Sequence, residues 1–378
     1  MKKLIFLVLI IICSCKSKNE QKESHNSITL EGLKSRIDSL FNTRINANEP
    51  GAALLVSYDG EMLIGKGYGL RNMETKEPIT KSTNMRMGSV SKQFTDLSLL
   101  TLVDKGLLSL NDTVYKFWPY EVFKNITVTQ LINHTSGIAD YEAAFMNDWD
   151  RTKVVENKDV LAWLETNPAP RFKPGEKWEY SNTAYIVLAQ LTEKLSRKDF
   201  AEYAKEAVFD KAGMKNTNFY SLAHPIAIKE RAFCYEKDSL GQWEQIDGFF
   251  MNGVLGDGAV YTNLIDYFTY DQALRNHSIV SEKLHQLLFE PSSMALPKKA
   301  TYPYGFLKSK EEHYAMGWFV TEDIAFHTGS WNGTRTIVVR DKERPLTLTI
   351  FMNSAEAETR TFLMEHTYNL VDSYLNSK

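Results

Sequence analysis

A serine hydroxyl is a poor nucleophile near neutrality, because its proton has to leave as the oxygen attacks. The chain places Lys92 three residues after Ser89, in Ser89-Val90-Ser91-Lys92. On a helix this spacing puts the amine on the serine's face, within reach of that proton. Lysine titrates near ~10.4 in water, so it acts as a base only where burial and neighbouring charge lower that value. Two more groups supply the partners such a site needs. Tyr180-Ser181-Asn182 begins 91 residues after Ser89, and His327-Thr328-Gly329 begins 147 residues after Tyr180. The pattern is that of an enzyme with a serine nucleophile.

Context separates these residues from chance matches. Ser-x-x-Lys occurs once, at Ser89, whereas Tyr-x-Asn occurs at Tyr180, Tyr261 and Tyr374. Tyr180 follows the turn signal Phe172-Lys173-Pro174-Gly175 and precedes an apolar helical run over 184–195. Tyr374 belongs to a C-terminal amphipathic helix, and Tyr261 follows Gly256-Asp257-Gly258. Only Tyr180 occupies a loop leading into a helix.

With these residues, the chain resembles the serine β-lactamase and penicillin-binding protein superfamily. The closer likeness is to the branch of class C β-lactamases, D-alanyl-D-alanine peptidases and related esterases. Leu131-Ile132-Asn133-His134-Thr135-Ser136-Gly137, Phe172-Lys173-Pro174-Gly175 and Gly256-Asp257-Gly258-Ala259-Val260-Tyr261 strengthen it, from about residue 37 to the end. One departure matters: His327 stands where most β-lactamases have lysine.

The resemblance implies a buried Lys92 between Ser89 and Tyr180. The base is assigned to the Lys92–Tyr180 pair, since both groups titrate near ~10 unperturbed and either can share the proton. Asn182 carries a donor and an acceptor, which suits it to orient Lys92 and a substrate amide. His327, Thr328 and Gly329 are expected to line the substrate strand, with Gly329 leaving room for a substrate backbone. The resemblance further implies that the Ser330 N–H joins that of Ser89 in an oxyanion hole. Arg335, on the strand after His327, is a candidate to grip a substrate carboxylate bidentately. A neutral His327 with its ordinary value near ~6.5 supplies positive charge only as pH falls from about 8 to 6. Trp318 and Trp331 are candidates for pocket wall or core, and His134 is read as loop-structuring.

The elements that must hold these groups come from both ends of the chain. Residues 30–40 show helical periodicity, and strand-like runs at 52–58 and 62–68 flank the hairpin signal Asp59-Gly60. Further strands are expected at 315–321, 324–327, 334–340 and 346–352, then a helix over about 358–375. The middle reads as mostly helical. The expected fold is α/β (α+β): an antiparallel sheet built from both chain ends and flanked by helices, with a mainly helical inserted domain. The boundaries are 29–92 and 300–378 for the sheet domain and 93–299 for the helical one.

Residues 1–15 read as a lipoprotein signal peptide. Lys2 and Lys3 precede a short apolar run that ends at Ile12-Cys13-Ser14-Cys15, with Cys15 as the lipid-bearing residue. An ordinary secretory leader is the alternative. Residues 16–28 read as a flexible tether. After cleavage only Cys15 and Cys234 remain, so no internal disulfide is expected. The 8 histidines show no metal-ligand spacing, and a net charge of −3 gives no footprint for nucleic acid. Expected partners are a small-molecule or peptide substrate and the membrane through the lipid; no cofactor or metal is expected, and the chain is expected to be a monomer in the cell envelope.

Function narrows to an exported serine hydrolase acting on D-alanyl peptides, β-lactams, or small esters and amides. The histidine at 327 tilts this away from a dedicated β-lactamase. The alternative is a sensor or binding module that is acylated and holds its ligand; an inactive structural member is disfavoured by the intact motifs.

Overall fold

The computed structural model describes residues 28–292, 298–299 and 302–378. The expected leader with Cys15, and the tether up to residue 27, lie outside the described residues. Thr29 caps helix α1 (Leu30–Asn42) by accepting the Gly32 N–H, and Leu33, Ile37 and Phe41 form its buried stripe. Strands β1 (Ala52–Tyr58) and β2 (Glu61–Tyr68) pair across Asp59 and Gly60, whose φ values of 50° and 77° suit a tight hairpin. Helices α2 (Lys92–Asp104), α3 (Tyr141–Asp148) and α4 (Asn182–Ser196) carry the middle of the chain towards the site. Near the C-terminus come β3 (Lys298–Lys299), β4 (Glu311–Tyr314), β5 (Phe319–Val320), β6 (Ile324–Trp331), β7 (Thr334–Asp341), β8 (Leu346–Met352) and helix α5 (Ala357–Asn376).

These strands form one eight-stranded sheet in the order β3-β4-β5-β6-β7-β8-β1-β2, every neighbouring pair antiparallel. The two chain ends meet where β1 pairs with β8, from Ala52 opposite Met352 to Tyr58 opposite Leu346. An antiparallel sheet made from both ends and flanked by helices is what the patterning led one to expect. Period-2 alternation divides its side chains between two cores. Leu54, Val56, Ile337, Leu348 and Ile350 pack with α1 and α5, while Leu55, Val338 and Phe351 join the core of the central helices. Because both faces are covered, β8 is buried along its whole length. Helix α2 runs through the second core beside α4, and every residue from Lys92 to Leu102 is buried.

One expected element is corrected. The run 315–321 is not a single strand: the chain turns back between β4 and β5, with the Ala315 N–H donating to Trp318 O at 2.8 Å. Gly317 makes that turn at φ 67°, and a Cβ there would lie 2.6 Å from the Gln93 nitrogen. The turn is therefore docked on the first residues of α2, and it carries Tyr314 to the site.

Candidate active site

Ser89 sits on a tight turn, Gly88–Ser91, that runs directly into α2. The turn is pressed against β6. Gly88 has φ 52°, and a Cβ on it would lie 3.0 Å from the Ser330 nitrogen; one on Gly329 would strike Met87 O. Thr336 Oγ1 donates to Met87 O at 2.7 Å, and the Val260 N–H donates to Ser91 Oγ at 3.0 Å. Neighbours on both sides are buried while Ser89 itself is half-exposed, so the serine is the reachable atom of a rigid turn. The tightness of this junction explains both glycines. Gly329 makes room for the serine turn of this chain.

Lys92 is fully buried. Its Nζ donates to Asn182 Oδ1 at 2.7 Å and to the backbone oxygen of Asp257 at 2.8 Å, and it lies 4.9 Å from the centre of the Tyr180 ring. Burial lowers its pKa to about 8, against the opposing pull of Asp257, Glu142 and Asp96. The Tyr180 hydroxyl is buried without a regular hydrogen bond, and its polar neighbour is the Ser89 hydroxyl. Burial pushes its pKa well up, only partly offset by Ser89. Ser181 caps α4 by accepting the Ala184 N–H, which sets Tyr180 just before the helix and Asn182 at its first residue. His134 Nδ1 accepts the Ser181 N–H at 3.1 Å, and its ring lies 4.3 Å from that of Tyr180.

Asn182 has both ends engaged inside the protein. Its Oδ1 takes Lys92, and its Nδ2 donates to Glu142 Oε1 at 2.7 Å, which leaves the second N–H and a lone pair for the other expected task, holding a substrate amide. His327 is 1% exposed: its ring packs against Phe319 and Tyr180, Nε2 lies 3.3 Å from Tyr314 Oη, and Nδ1 lies 2.7 Å from Thr328 O. Burial and the nearby Lys92 lower its pKa to about 3. This desolvation runs against the expected gain of charge between pH 8 and 6. Thr328 turns to the other side of β6, 3.5 Å from Tyr302 Oη.

Arg335 is not brought to the serine. Trp331 pairs with Thr334 across the Asn332-Gly333 turn, so Gly329 faces Thr336 and Ser330 faces Arg335. Thr336 points at Met87, which sends Arg335 to the opposite face. There its Nη1 donates to the Trp331 and Thr334 carbonyls, at 2.8 and 2.7 Å. Trp318 is core, while Trp331 donates through Nε1 to Asn252 Oδ1 at 2.7 Å.

A crevice of about 10 Å³ opens at Ser89, lined by Gly88, Asn182, Asp257, Ser330, Trp331 and Arg86 among others. That volume suits one water or a carbonyl oxygen, so an acyl chain must lie along its open edge. The Arg86 guanidinium in its wall donates to Asn252 Oδ1 at 2.7 Å. Sequence reasoning missed Arg86, although it precedes Ser89 by three residues. It missed Asp96 too, a buried acid one turn beyond Lys92 whose carboxyl is pushed well up by burial and accepts the Tyr185 hydroxyl at 2.8 Å. Asp257 lay in a quoted glycine motif without a role, and nothing local marks Glu142.

The family model described as Beta-lactamase matches residues 37–370, so the chain belongs to the serine β-lactamase and penicillin-binding protein superfamily. Penicillin-binding protein 4* of Bacillus subtilis (strain 168) is 29% identical over 344 residues, covering 87% of this chain and 73% of that protein. Protein flp of Staphylococcus aureus (strain MW2) is 25% identical over 339 residues, and the match spans 62% of its length, under two thirds. Among solved structures, the octameric penicillin-binding protein homologue from Pyrococcus abyssi superposes with a TM-score of 0.74 at 24% identity, covering 90% of this chain and 77% of that one. The D-amino acid amidase from Ochrobactrum anthropi SV3, complexed with L-phenylalanine amide, gives 0.69 at 20% identity, covering 91% and 98%. The family is one of serine hydrolases, and the two structures share the fold. No helix among the described residues is long and apolar enough to cross a membrane.

Proposed function

We propose that the chain is an exported serine hydrolase that forms an acyl-enzyme at Ser89 and prefers small uncharged esters and amides. The observation that carries this is Lys92: fully buried, aimed by Asn182 and the Asp257 carbonyl, and titrating at about 8. A value near 8 leaves about a tenth of the amine neutral at pH 7. Burial moves the two candidate bases apart, since it lowers the amine and raises the phenol. Lys92 then accepts the Ser89 proton, with the Tyr180 hydroxyl between them as relay. Ser89 Oγ attacks the carbonyl carbon, and the oxygen that gains charge lies against the N–H groups of Ser89 and Ser330. The proton returns through Tyr180 to the leaving oxygen or nitrogen. Water next attacks the acyl carbon and loses a proton to Lys92; the bond to Ser89 Oγ breaks, and the proton passes from Lys92 to that oxygen, which restores the serine hydroxyl and the neutral amine.

Two findings support uncharged substrates: His327 is buried, which holds its pKa down, and Arg335 is turned away. Arg86 favours a second reading, carboxylate-bearing substrates such as D-alanyl peptides and β-lactams, because it is a permanent cation in the crevice wall. The amidase likeness supports amide substrates without choosing between these. Export rests on the leader, with Cys15 as the lipid site. Fluorophosphonate labelling followed by mass spectrometry tests the nucleophile. A panel of p-nitrophenyl esters, nitrocefin and a D-Ala-D-Ala peptide tests the substrate. An adduct on Ser89 that never turns over would instead identify a binding or sensor module. Cell fractionation of wild type and Cys15→Ser tests the anchor.

A further inference from the structure

Lys92 is held by two acceptors, and both are themselves held by consecutive residues at the start of α3. The Asn182 amide, which accepts from Lys92, donates to Glu142 Oε1 at 2.7 Å. Asp257, whose carbonyl accepts from Lys92, takes the Tyr141 hydroxyl on its carboxylate Oδ2 at 2.9 Å. The helix start is fixed in turn. Asp140 caps it by accepting the Ala143 N–H at 3.1 Å, and the Tyr141 N–H donates to Thr183 Oγ1 on α4 at 2.9 Å. We infer that the start of α3 is a clamp on the catalytic lysine, in which Glu142 is a positioning residue whose hydrogen bond aims Asn182 and whose charge governs how readily Lys92 takes the Ser89 proton.

An amide can turn either end to a neighbour. With an acceptor-only carboxylate on one side and a donor-only ammonium on the other, Asn182 has one orientation that satisfies both. Removing the carboxylate frees the amide to flip and offer its donor end to Lys92. The charged groups facing Glu142 are Asp257 on the glycine loop, Asp140 on its own helix cap, and Lys92 on α2. Lys92 also faces Asp96. Glu142 makes no ion pair among the described residues. Burial first, then Asp257 and Asp140, raise its pKa to about 7, so its charge varies across the range in which Lys92 works. A charged Glu142 favours the ammonium form of Lys92, and a neutral one favours the amine.

The inference rests on the proposed role of Ser89, and the test separates the two. Fluorophosphonate labelling rates are measured from pH 5 to 10 for wild type, Glu142→Gln and Glu142→Ala, beside a side-chain ¹⁵N NMR titration of Lys92, which needs no reaction. Glu142→Gln keeps an acceptor for Asn182 but loses the charge. Its labelling midpoint and its Lys92 titration are both expected to move down by about one pH unit, raising the rate several-fold below the wild-type midpoint. Glu142→Ala also loses the acceptor, and its plateau rate is expected to fall about tenfold or more through misaimed Lys92. Restoration of the plateau in Glu142→Gln distinguishes positioning from general destabilisation. If Lys92 titrates alike in wild type and Glu142→Gln, the clamp is overturned, whatever Ser89 does. If the lysine shifts but Ser89 takes no label in wild type, the clamp stands and the acyl-enzyme reading falls. Should Glu142→Ala fail to fold, the Glu142→Gln titration decides alone.

Discussion

Lys92 and His327 are both buried bases against Tyr180, yet they hold opposite charge states. Lys92 has two oxygen acceptors within 2.8 Å and the acids Asp257, Glu142 and Asp96 around it, and it keeps a pKa of about 8. His327 is walled by Phe319, Tyr314 and Tyr180, and it falls to about 3. Burial lowers both, so burial alone does not decide which is charged. Most of the gap is the ordinary difference between an amine at 10.5 and an imidazole at 6.5, and the acceptors and acids that accompany Lys92 widen it. One side of the site is built to hold a proton loosely and the other to hold none.

The sharpest way to break this comparison is to remove the first base. Lys92→Met keeps the buried volume, deletes the amine and leaves Asn182 Oδ1 without its donor. A loss of about 10³-fold or more in ester kcat and in the acylation rate is expected, which stopped-flow p-nitrophenolate release would measure. A loss under tenfold would mean that the proton goes elsewhere. Next in size is Tyr180→Phe, expected to cost about 10²-fold. If Tyr180 relays the proton to Lys92, the double variant should be hardly slower than the slower single. Multiplying losses would separate the two roles.

How much of this was legible depends on how local each signal was. Ser89, Lys92, Tyr180 and Asn182 stand in short patterns whose chemistry can be read directly, and the helix starts that aim them follow from Ser181 and the turn before Ser89. The sheet was legible because alternating apolar runs at both ends need partners. The facing of Arg335 was not read, although Asn332-Gly333 is a two-residue turn signal that fixes the parity: with Trp331 opposite Thr334, Arg335 falls on Ser330's side of the ladder, away from Thr336. Glu142 is of another kind. It belongs to an eight-residue helix placed wholly by tertiary contacts, so no spacing rule leads from Ser89 to it. The charge of His327 was also beyond the sequence, since it depends on how far the ring is buried and on the nearness of Lys92.

The second base offers a test through stability. The folded-state value of His327 is about 3, below its ordinary 6.5, so below pH 6.5 the unfolded chain binds a proton that the folded one refuses. The sign follows: stability is fully present above pH 6.5 and is lost as pH falls towards about 3. At pH 4.5, two units below the ordinary value, the loss from this residue should be about 3 kcal/mol, from ~1.4 kcal/mol per pH unit. His327→Gln cannot titrate, so its urea-unfolding free energy should drop less than that of wild type between pH 7 and 4.5. Equal drops would mean that the imidazole is charged or solvated in the folded site.

The smallest expected effect sharpens the comparison most cheaply. If neither His327 nor Arg335 anchors a substrate carboxylate, Arg335→Ala should leave kcat/KM for esters, nitrocefin and a D-Ala-D-Ala peptide within about twofold of wild type, as for other substitutions that do not touch substrate. Its guanidinium is tied to the Trp331 and Thr334 carbonyls, so the cost should fall on the hairpin as a modest loss of about 0.5–1.5 kcal/mol. A permanent cation in the right place would behave differently, because truncating one partner of a charge pair costs about 2 kcal/mol or more, and only for the charged substrates. A selective fall for nitrocefin and the peptide, with esters spared, would therefore return Arg335 to the cleft. The same pattern in Arg86→Ala would instead place the carboxylate against the crevice wall.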